Sequence, residues 1–374
     1  MNDATQKPRI TPIDGLRGFA VLVVFVYHTL GIPVSGDIGV DIFFTMSGFL
    51  ISSQIFNEIE RTRTINIVKF YLNRVVRLIP AFLAVCALYL AIYYCFGKYS
   101  YPANETADIT TMLGMIFMAN IYMAQDLHPI PFLQHTWTLA VEWQFYLAWP
   151  LILLILTKCG LKSKPLLVVS ICAGIVTIWI LRIAGDRFLQ FDGILLGSLI
   201  PLIKDNKFIV GLFKNRFAGL LIFCPAILAM VAFVFHVAQP FTTLPPKTVV
   251  SVMTMIAILF FTINYDSIYN NIFDNTPMRY FGKISYGLYL YHYPIAALMY
   301  SNGFDSKQML VVGIIVAIPL AEVSWRYMEE PILKAWARSK SIKREQSIVS
   351  ISQSPDDIHS SRTLEAPSRL LGQQ

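Results

Sequence analysis

Residues 14–32 read DGLRGFAVLVVFVYHTLGI, and residues 39–52 read GVDIFFTMSGFLIS. Each stretch is a nearly continuous apolar run, and runs approaching 20 apolar residues are typical of transmembrane α-helices. Transmembrane β-strands are instead about ten residues long and alternate between apolar and polar side chains. The two runs therefore predict a pair of helices that crosses a membrane twice.

The whole chain has the composition of a membrane protein. Of its 374 residues, 55% are hydrophobic and 14% are charged, whereas soluble domains have about 45–50% apolar and about 25% charged residues. So few charges cannot cover the surface of a soluble protein of this length, and the high hydrophobicity excludes a disordered chain. We therefore expect an all-α polytopic protein with the lipid bilayer as its solvent.

The apolar runs predict ten transmembrane helices. They lie near residues 18–34, 40–57, 79–97, 138–157, 165–183, 188–203, 217–238, 248–264, 284–301 and 308–326. One further run, 109–124, is interpreted as a short or re-entrant segment, because Gly114 interrupts it and Pro129 and Pro131 follow it.

The basic residues predict the orientation of these helices. With a cytoplasmic N-terminus and with 109–124 not crossing, only five of the 30 basic residues fall in outer segments: Lys98, Arg182, Arg187, Lys247 and Lys307. This asymmetry is the positive-inside pattern, so the net charge of +7 reflects cytoplasmic loops and not a nucleic-acid partner. We expect both termini in the cytoplasm, with a membrane domain over 1–335 and a disordered tail over 336–374.

Arg17 and His28 are the polar residues of the first run. Eleven residues separate them, which is about 16 Å along a helix and nearly the same face. A neutral imidazole at membrane depth can act as a general base or accept an acyl group; the alternative is a histidine that only holds a neighbouring helix. Asp41 either orients His28 or is an acid favoured near a helix N-terminus.

Arg74 and Arg77 form a pair within residues 69–82, KFYLNRVVRLIPAF. Residues three apart share one helix face, and two guanidinium groups on one face suit phosphate oxygens. The alternative is a positive-inside cluster that contacts lipid phosphates.

Residues 135–150, HTWTLAVEWQFYLAWP, place polar and aromatic side chains at the predicted outer mouth. Glu142 lies one or two turns inside the helix, where a carboxylate needs a partner, so we interpret it as steering an acceptor hydroxyl or pairing with a catalytic histidine. His135, Trp137 and Tyr146 are candidate contacts to a sugar acceptor. An interfacial aromatic belt is the alternative for the tryptophans.

Further ionisable residues lie in later apolar runs. His292 is surrounded by tyrosines in residues 284–295 and is a further candidate substrate contact. Together, His28, Asp192, His292 and Glu322 also suit a proton-coupled secondary transporter or an exporter of a sugar derivative. No internal repeat of the transporter kind is visible. A third possibility is a glycan-assembly protein without chemistry of its own.

The chain resembles acyltransferase family 3 of membrane O-acyltransferases over roughly residues 10–335. The resemblance rests on seven motifs in the family's order: the Arg17-to-His28 signature, residues 39–51, the pair Arg74 and Arg77, and residues 135–147, 191–200, 284–295 and 326–332. Family members usually have a second acid where this chain has Trp143. Glu142 is therefore the single candidate acid in that motif.

The resemblance implies transfer of an acyl group, usually acetyl, from cytoplasmic acyl-CoA to a hydroxyl of an extracytoplasmic carbohydrate, such as a cell-surface polysaccharide or lipopolysaccharide. The resemblance also implies a bacterial inner-membrane location and the stand-alone form, without an esterase-like C-terminal domain. The positions of the polar residues agree with it, and our hypothesis is that Arg17, Arg74 and Arg77 hold the acetyl-CoA. In the same hypothesis His28, oriented by Asp41 or another acid, is the catalytic base or acyl carrier. No metal is expected, since the five cysteines lack metal-ligand spacing.

Overall fold

A computed structural model of the chain describes residues 10–30, 38–96, 109–125, 131–160, 163–184, 190–234 and 246–352. Every regular element in these ranges is helical, which confirms the all-α prediction for them. The main helices are α1 (Thr11–Leu30), α2 (Ile38–Thr62), α3 (Ile67–Phe96), α4 (Ile109–Ala124), α5 (Trp137–Lys158), α6 (Lys164–Ile183), α7 (Asp192–Ile203), α8 (Lys207–Lys214), α9 (Arg216–Val234), α10 (Pro246–Ile263), α11 (Thr276–Ser301), α12 (Ser306–Val312), α13 (Ile318–Ser324) and α14 (Glu330–Ser352).

Short helical turns link several of these helices. A 3-10 helix, Pro131–Thr136, leads into α5, and another, Ile268–Ile272, precedes α11. Single π-helical turns, Gly313–Ala317 and Trp325–Glu329, join α12, α13 and α14 end to end. Such turns are frequent beside functional sites, and the second one carries Trp325, which lines a cavity described below.

Six helices of the described residues are long and apolar enough to cross a membrane: Thr11–Leu30, Ile38–Thr62, Ile67–Ala91, Phe132–Lys158, Lys164–Ile183 and Ser306–Ile342. The bent pair Lys207–Lys214 and Phe217–Ala232 would make a seventh. The predicted count of ten is therefore not confirmed. One physical reason is length, because the 12 residues of α7 rise only about 18 Å against about 30 Å of hydrocarbon.

Residues 109–124 and the first part of the predicted tail are both helical. The run 109–124 forms α4, which packs on α5. A reciprocal amide pair joins them, since Asn120 Nδ2 donates to Gln144 Oε1 at 3.1 Å and Gln144 Nε2 donates to Asn120 Oδ1 at 2.9 Å. In the predicted tail, α14 continues to Ser352, and residues 353–374 lie outside the described residues.

Basic side chains collect at one end of the bundle, called here the basic end, where α1, α3 and α6 begin and α2 and α5 end. Two contacts show that these helix ends are neighbours. Lys164 Nζ of α6 lies 3.7 Å from Glu60 Oε1 of α2, and Arg74 Nη2 of α3 donates to Gln54 Oε1 of α2 at 2.8 Å. The basic end also carries Arg17, Arg61, Arg63, Arg77 and Lys158.

Helices α1 and α11 form the most extensive helix contact, and glycines bring their backbones together. A Cβ atom on Gly282 would lie 1.8 Å from the carbonyl oxygen of Asp14, and one on Gly18 would lie 2.0 Å from that of Met278. Small residues at such crossings let membrane helices approach closely. This contact sets how the two helices, which carry His28 and His292, are positioned against each other.

Replacing Gly282 with alanine is expected to destabilise the protein by about 1–3 kcal/mol, the usual cost of overpacking, because its new methyl group meets backbone atoms. The measurement is thermal unfolding in detergent. Gly114→Ala is the matched control, because a Cβ there meets nothing within 4 Å and alanine favours a helix by up to about 1 kcal/mol. Equal melting temperatures for Gly282→Ala and the wild type would contradict the close approach.

Candidate active site

A cavity of about 140 Å³, called here the narrow cavity, lies between α1, α2, α3, α5 and α11. Arg17, Arg74 and Arg77 all line it, so the three arginines predicted from separate motifs meet at one place. Polar side chains complete its walls: Ser47, Thr138, Glu142, Tyr146, Ser285, Tyr286 and Tyr289. A site with three cations and several hydroxyl groups suits a ligand that carries several anionic oxygens.

Glu142 is held inside the narrow cavity by two hydroxyl groups. Ser47 Oγ donates to its Oε1 at 2.6 Å, and Tyr146 OH donates to its Oε2 at 2.9 Å. The guanidinium of Arg74 lies over the Tyr146 ring, 5.5 Å from its centroid. The sequence interpretation places Glu142 and Tyr146 at the acceptor mouth. In the structure they lie with the arginines, because their helix face turns toward α2 and α3.

His28 and His292 form a hydrogen-bonded pair at the other side of the narrow cavity from the basic end. His28 Nδ1 lies 3.1 Å from His292 Nε2. His292 Nδ1 lies 2.8 Å from the carbonyl oxygen of Tyr289 and 3.0 Å from that of Leu288. Carbonyl oxygens only accept hydrogen bonds, so His292 Nδ1 carries the proton and, in the neutral ring, Nε2 accepts.

The pair therefore assigns the tautomer of His28. His28 Nδ1 must carry a proton, because it donates to His292 Nε2. The carbonyl oxygen of Val24 lies 3.0 Å from the same nitrogen and, as an acceptor, favours the same protonation. The lone pair of a neutral His28 then resides on Nε2. This is the form in which an imidazole can take a proton from a hydroxyl or attack an acyl carbon.

His135 joins the two histidines, and we call the three the histidine cluster. Its buried ring stacks on Tyr293 at a centroid distance of 4.8 Å and lies 5.8 Å from the His292 ring. Trp137, two residues later, is not brought to the cluster. Its ring contacts Phe44 at 6.0 Å and lies under Lys247 Nζ at 5.4 Å.

Tyr289 separates the narrow cavity from the histidine cluster. It lines the cavity, and its ring lies 5.3 Å from that of His135 and 5.8 Å from that of His292. Its hydroxyl pairs with Thr138 Oγ1 at 2.6 Å and donates to the carbonyl oxygen of His135. A ligand that reaches from the arginines to His28 must therefore pass this ring.

A wider cavity of about 780 Å³ adjoins the narrow one at the basic end. The two share Arg17, Leu50 and Arg77. The wide cavity adds Arg279 and Lys283, and Lys283 Nζ lies 5.6 Å above the Trp325 ring. Its acidic side chains are Asp14, which lies 3.4 Å from Arg17, and Glu330.

Sequence reasoning missed several of these residues. The sequence analysis assigns no role to Ser47, although a hydroxyl inside an apolar run is a signal that a polar partner faces it. Tyr289 and Lys283 carried no distinctive signal, since tyrosine and lysine are common near membrane interfaces. Asp41 is buried in α2, and its orienting role stays a prediction.

The sequence model of the acyltransferase domain, family 3, matches residues 10–323. The chain belongs to acyltransferase family 3. The match includes every residue of the histidine cluster and the narrow cavity, and it confirms the family expected from the seven motifs.

The family 3 relatives that this chain matches are longer than the chain itself. O-acetyltransferase OatA of Staphylococcus aureus (strain NCTC 8325 / PS 47) is 30% identical over 361 residues, which cover 88% of this chain and 58% of that protein. Peptidoglycan O-acetyltransferase OatA of Listeria monocytogenes is 30% identical over 356 residues, covering 87% and 56%. Putative peptidoglycan O-acetyltransferase YrhL of Bacillus subtilis is 29% identical over 371 residues, covering 91% and 57%.

This family 3 chain thus spans less than two thirds of the length of those relatives. No solved structure matches it. Among the described residues, no group of three or more His, Cys, Asp or Glu side chains could hold a metal ion.

Proposed function

We propose that the protein is a membrane O-acetyltransferase that moves an acetyl group from acetyl-CoA to a hydroxyl of a cell-wall carbohydrate. The observation that carries the proposal is the arrangement of one arginine-lined cavity beside a histidine pair with a defined tautomer. Family membership supports acyl transfer, and the peptidoglycan O-acetyltransferases among the relatives support a peptidoglycan-type acceptor.

The donor is proposed to enter at the basic end, which the positive-inside pattern assigns to the cytoplasm. The wide cavity has room for the nucleotide of CoA, with Arg279 and Lys283 near its phosphates. Arg17, Arg74 and Arg77 then neutralise phosphate oxygens at the entrance to the narrow cavity. The wide cavity has a volume of about 780 Å³ and the narrow cavity one of about 140 Å³. The smaller volume suits a slender pantetheine arm and not a second nucleotide.

His28 is proposed to act where the thioester ends. As base, its Nε2 takes the proton of the acceptor hydroxyl while the hydroxyl oxygen attacks the thioester carbonyl. The C–S bond breaks, an O-acetyl ester forms, and the proton passes to the CoA thiolate. As acyl carrier, Nε2 itself attacks the thioester carbonyl, the C–S bond breaks and CoA leaves as its thiolate. The acceptor hydroxyl oxygen then takes the acetyl group from Nε2, and the hydroxyl proton passes to the thiolate, which restores the neutral histidine.

Glu142 and Tyr289 have supporting roles in this proposal. The Glu142 carboxylate balances the arginine charges in the narrow cavity and orients Ser47 and Tyr146 toward its interior. Tyr289 must rotate away from Thr138 for the thioester to reach His28. Tyr293 packs on His28, and His135 stacks on Tyr293, so both are proposed to contact the acceptor.

Arg77→Ala is expected to raise KM for acetyl-CoA by about 10- to 100-fold, because a lost charged hydrogen bond costs about 1.5–3 kcal/mol. The measurement is steady-state CoA release at varied acetyl-CoA concentrations. Arg326→Ala is the matched control, since that exposed guanidinium pairs with Glu322 at 3.0 Å and lines neither cavity. An unchanged KM in Arg77→Ala would place the donor elsewhere.

The direct test of the function uses purified protein in nanodiscs with acetyl-CoA labelled in its acetyl group. CoA release and label transfer to added cell-wall glycan are expected. No CoA release in the presence of glycan would overturn the proposal. Proton-gradient-dependent uptake of sugar derivatives into vesicles would then favour a secondary transporter.

A further inference from the structure

A third cavity, of about 300 Å³, lies among the basic-end portions of α2, α5, α6 and α7. It shares no lining residue with the narrow or the wide cavity. We call it the amphipathic cavity, because most of its walls are apolar and its remaining walls are charged or polar. The apolar side chains are Phe56, Ile59, Leu153, Leu156, Leu167, Pro201 and Leu202, and the polar ones are Glu60, Arg63, Thr157 and Lys164.

The apolar part of this cavity favours hydrocarbon over water. An apolar cavity of about 150 Å³ stays dry and binds hydrocarbon ligands, and the amphipathic cavity is about twice that size. Its Thr157 hydroxyl already donates to the carbonyl oxygen of Leu153 at 2.7 Å. The helices beside it also expose Ile155 and Leu166, so the cavity adjoins surface that faces lipid chains.

The charged part of the cavity favours an anion. Arg63 and Lys164 line it, and Arg61 and Lys158 directly adjoin lining residues in the chain. The single acidic lining residue, Glu60, is 3.7 Å from Lys164. Basic pockets between transmembrane helices are suited to the phosphates of anionic lipid head groups.

The backbone of Arg63 has an unusual conformation. Its φ of 59° is the only positive φ of a non-glycine residue in the described chain. Hydrogen bonds fix this conformation just after the end of α2, because Arg63 N donates to Ile59 O at 2.9 Å and Thr62 Oγ1 donates to Glu58 O at 2.8 Å. Glycine is the usual residue at such a position, so replacing Arg63 with glycine can remove the charge without straining the backbone.

We propose that the amphipathic cavity binds an anionic phospholipid. One acyl chain lies against Leu153, Leu167 and Leu202, and the phosphate lies against Arg63 and Lys164. The lipid fills the space beneath the end of α7, which is too short to span the bilayer. The site is separate from the acyl-transfer residues, so it can be tested whatever the reaction proves to be.

The test compares wild type with Arg63→Gly in lipid-free detergent and after addition of phosphatidylglycerol or of phosphatidylcholine with the same acyl chains. Lipid retention is measured by native mass spectrometry, and stability is measured by thermal unfolding. Arg63→Gly relieves the positive-φ strain, so in detergent alone it is expected to melt at the wild-type temperature or a few degrees above it. Arg338→Ala, which removes one exposed charge on α14, is the matched control.

We expect phosphatidylglycerol to be retained by the wild type and to raise its melting temperature more than phosphatidylcholine does, since a ligand that binds the native state stabilises it. Arg63→Gly should lose more than about half of that rise, and Arg338→Ala should keep it. A second variant, Leu156→Trp, fills the apolar part without changing charge and should also lose retention.

Three results would overturn the proposal. The first is equal stabilisation by the two lipids. The second is full retention of phosphatidylglycerol by Arg63→Gly. The third is an equal rise in melting temperature with inorganic phosphate alone, which would mean a site for a free anion and not for a lipid.

Discussion

Replacing His28 with alanine is expected to lower acetyl transfer by about 10²- to 10⁴-fold, the usual contribution of a positioned general base. The physical reason is that the variant lacks the imidazole. The hydrogen bonds of His28 Nδ1 assign the reactive lone pair of that ring to Nε2. The measurement is single-turnover transfer from labelled acetyl-CoA to glycan, at equal amounts of folded protein.

The neighbouring Tyr27 offers a matched control for His28. Its ring packs edge-on against the imidazole, with centroids 4.9 Å apart, and Tyr27→Phe keeps that ring while removing the hydroxyl. The control should retain near-normal transfer. Full transfer by His28→Ala at normal expression would show that His28 has no role in the reaction. Another group near the narrow cavity would then have to act as the base or the acyl carrier.

Replacing His292 with alanine is expected to lower kcat by about 10²-fold or more with little change in KM for acetyl-CoA. His292 is a positioning residue, because its Nε2 accepts the proton of His28 Nδ1 and, together with the carbonyl oxygen of Val24, keeps the lone pair of His28 on Nε2. Losing the correct tautomer of a catalytic histidine is costly even where the ring stays in place. The measurement is the kcat and KM pair for each variant.

A conservative variant separates positioning from packing. His292→Asn retains an amide oxygen that can accept a hydrogen bond, so we expect it to recover part of the lost kcat and to shift the pH–rate profile relative to His292→Ala. A ring that serves only to fill space would behave differently. In that case His292→Ala and His292→Asn would lose the same stability and would have the same kcat and the same pH profile.

Local helical geometry explains what could be inferred about the site from single segments. The separation of Arg17 and His28 follows from the rise per residue of one continuous helix, and α1 indeed spans both. The same holds for Arg74 and Arg77, three residues apart on α3 and lining one cavity. These relations depend only on the chain between the two residues, so no knowledge of neighbouring helices was needed.

Relations between helices could not be obtained in that way. His28 and His292 are 264 residues apart, and nothing in either segment specifies that Nδ1 of one meets Nε2 of the other. The sequence interpretation places Glu142 with the acceptor, because the position of Glu142 along its helix can be inferred from the sequence. The direction of its side chain about the helix axis cannot. The rotation of α5 turns that carboxylate toward Ser47 and the arginines.

Composition and hydrophobic patterning by themselves determined that this chain is a helical membrane protein, and its motifs indicated family 3. Tertiary structure alone decided which polar groups meet, how many helices are long enough to span the bilayer, and which histidine tautomer is present. The physical reason is that burial in lipid depends on the hydrophobicity of each run. Helix rotation and approach depend on contacts such as that between Gly282 and the backbone of Asp14, which exist only once the helices are packed.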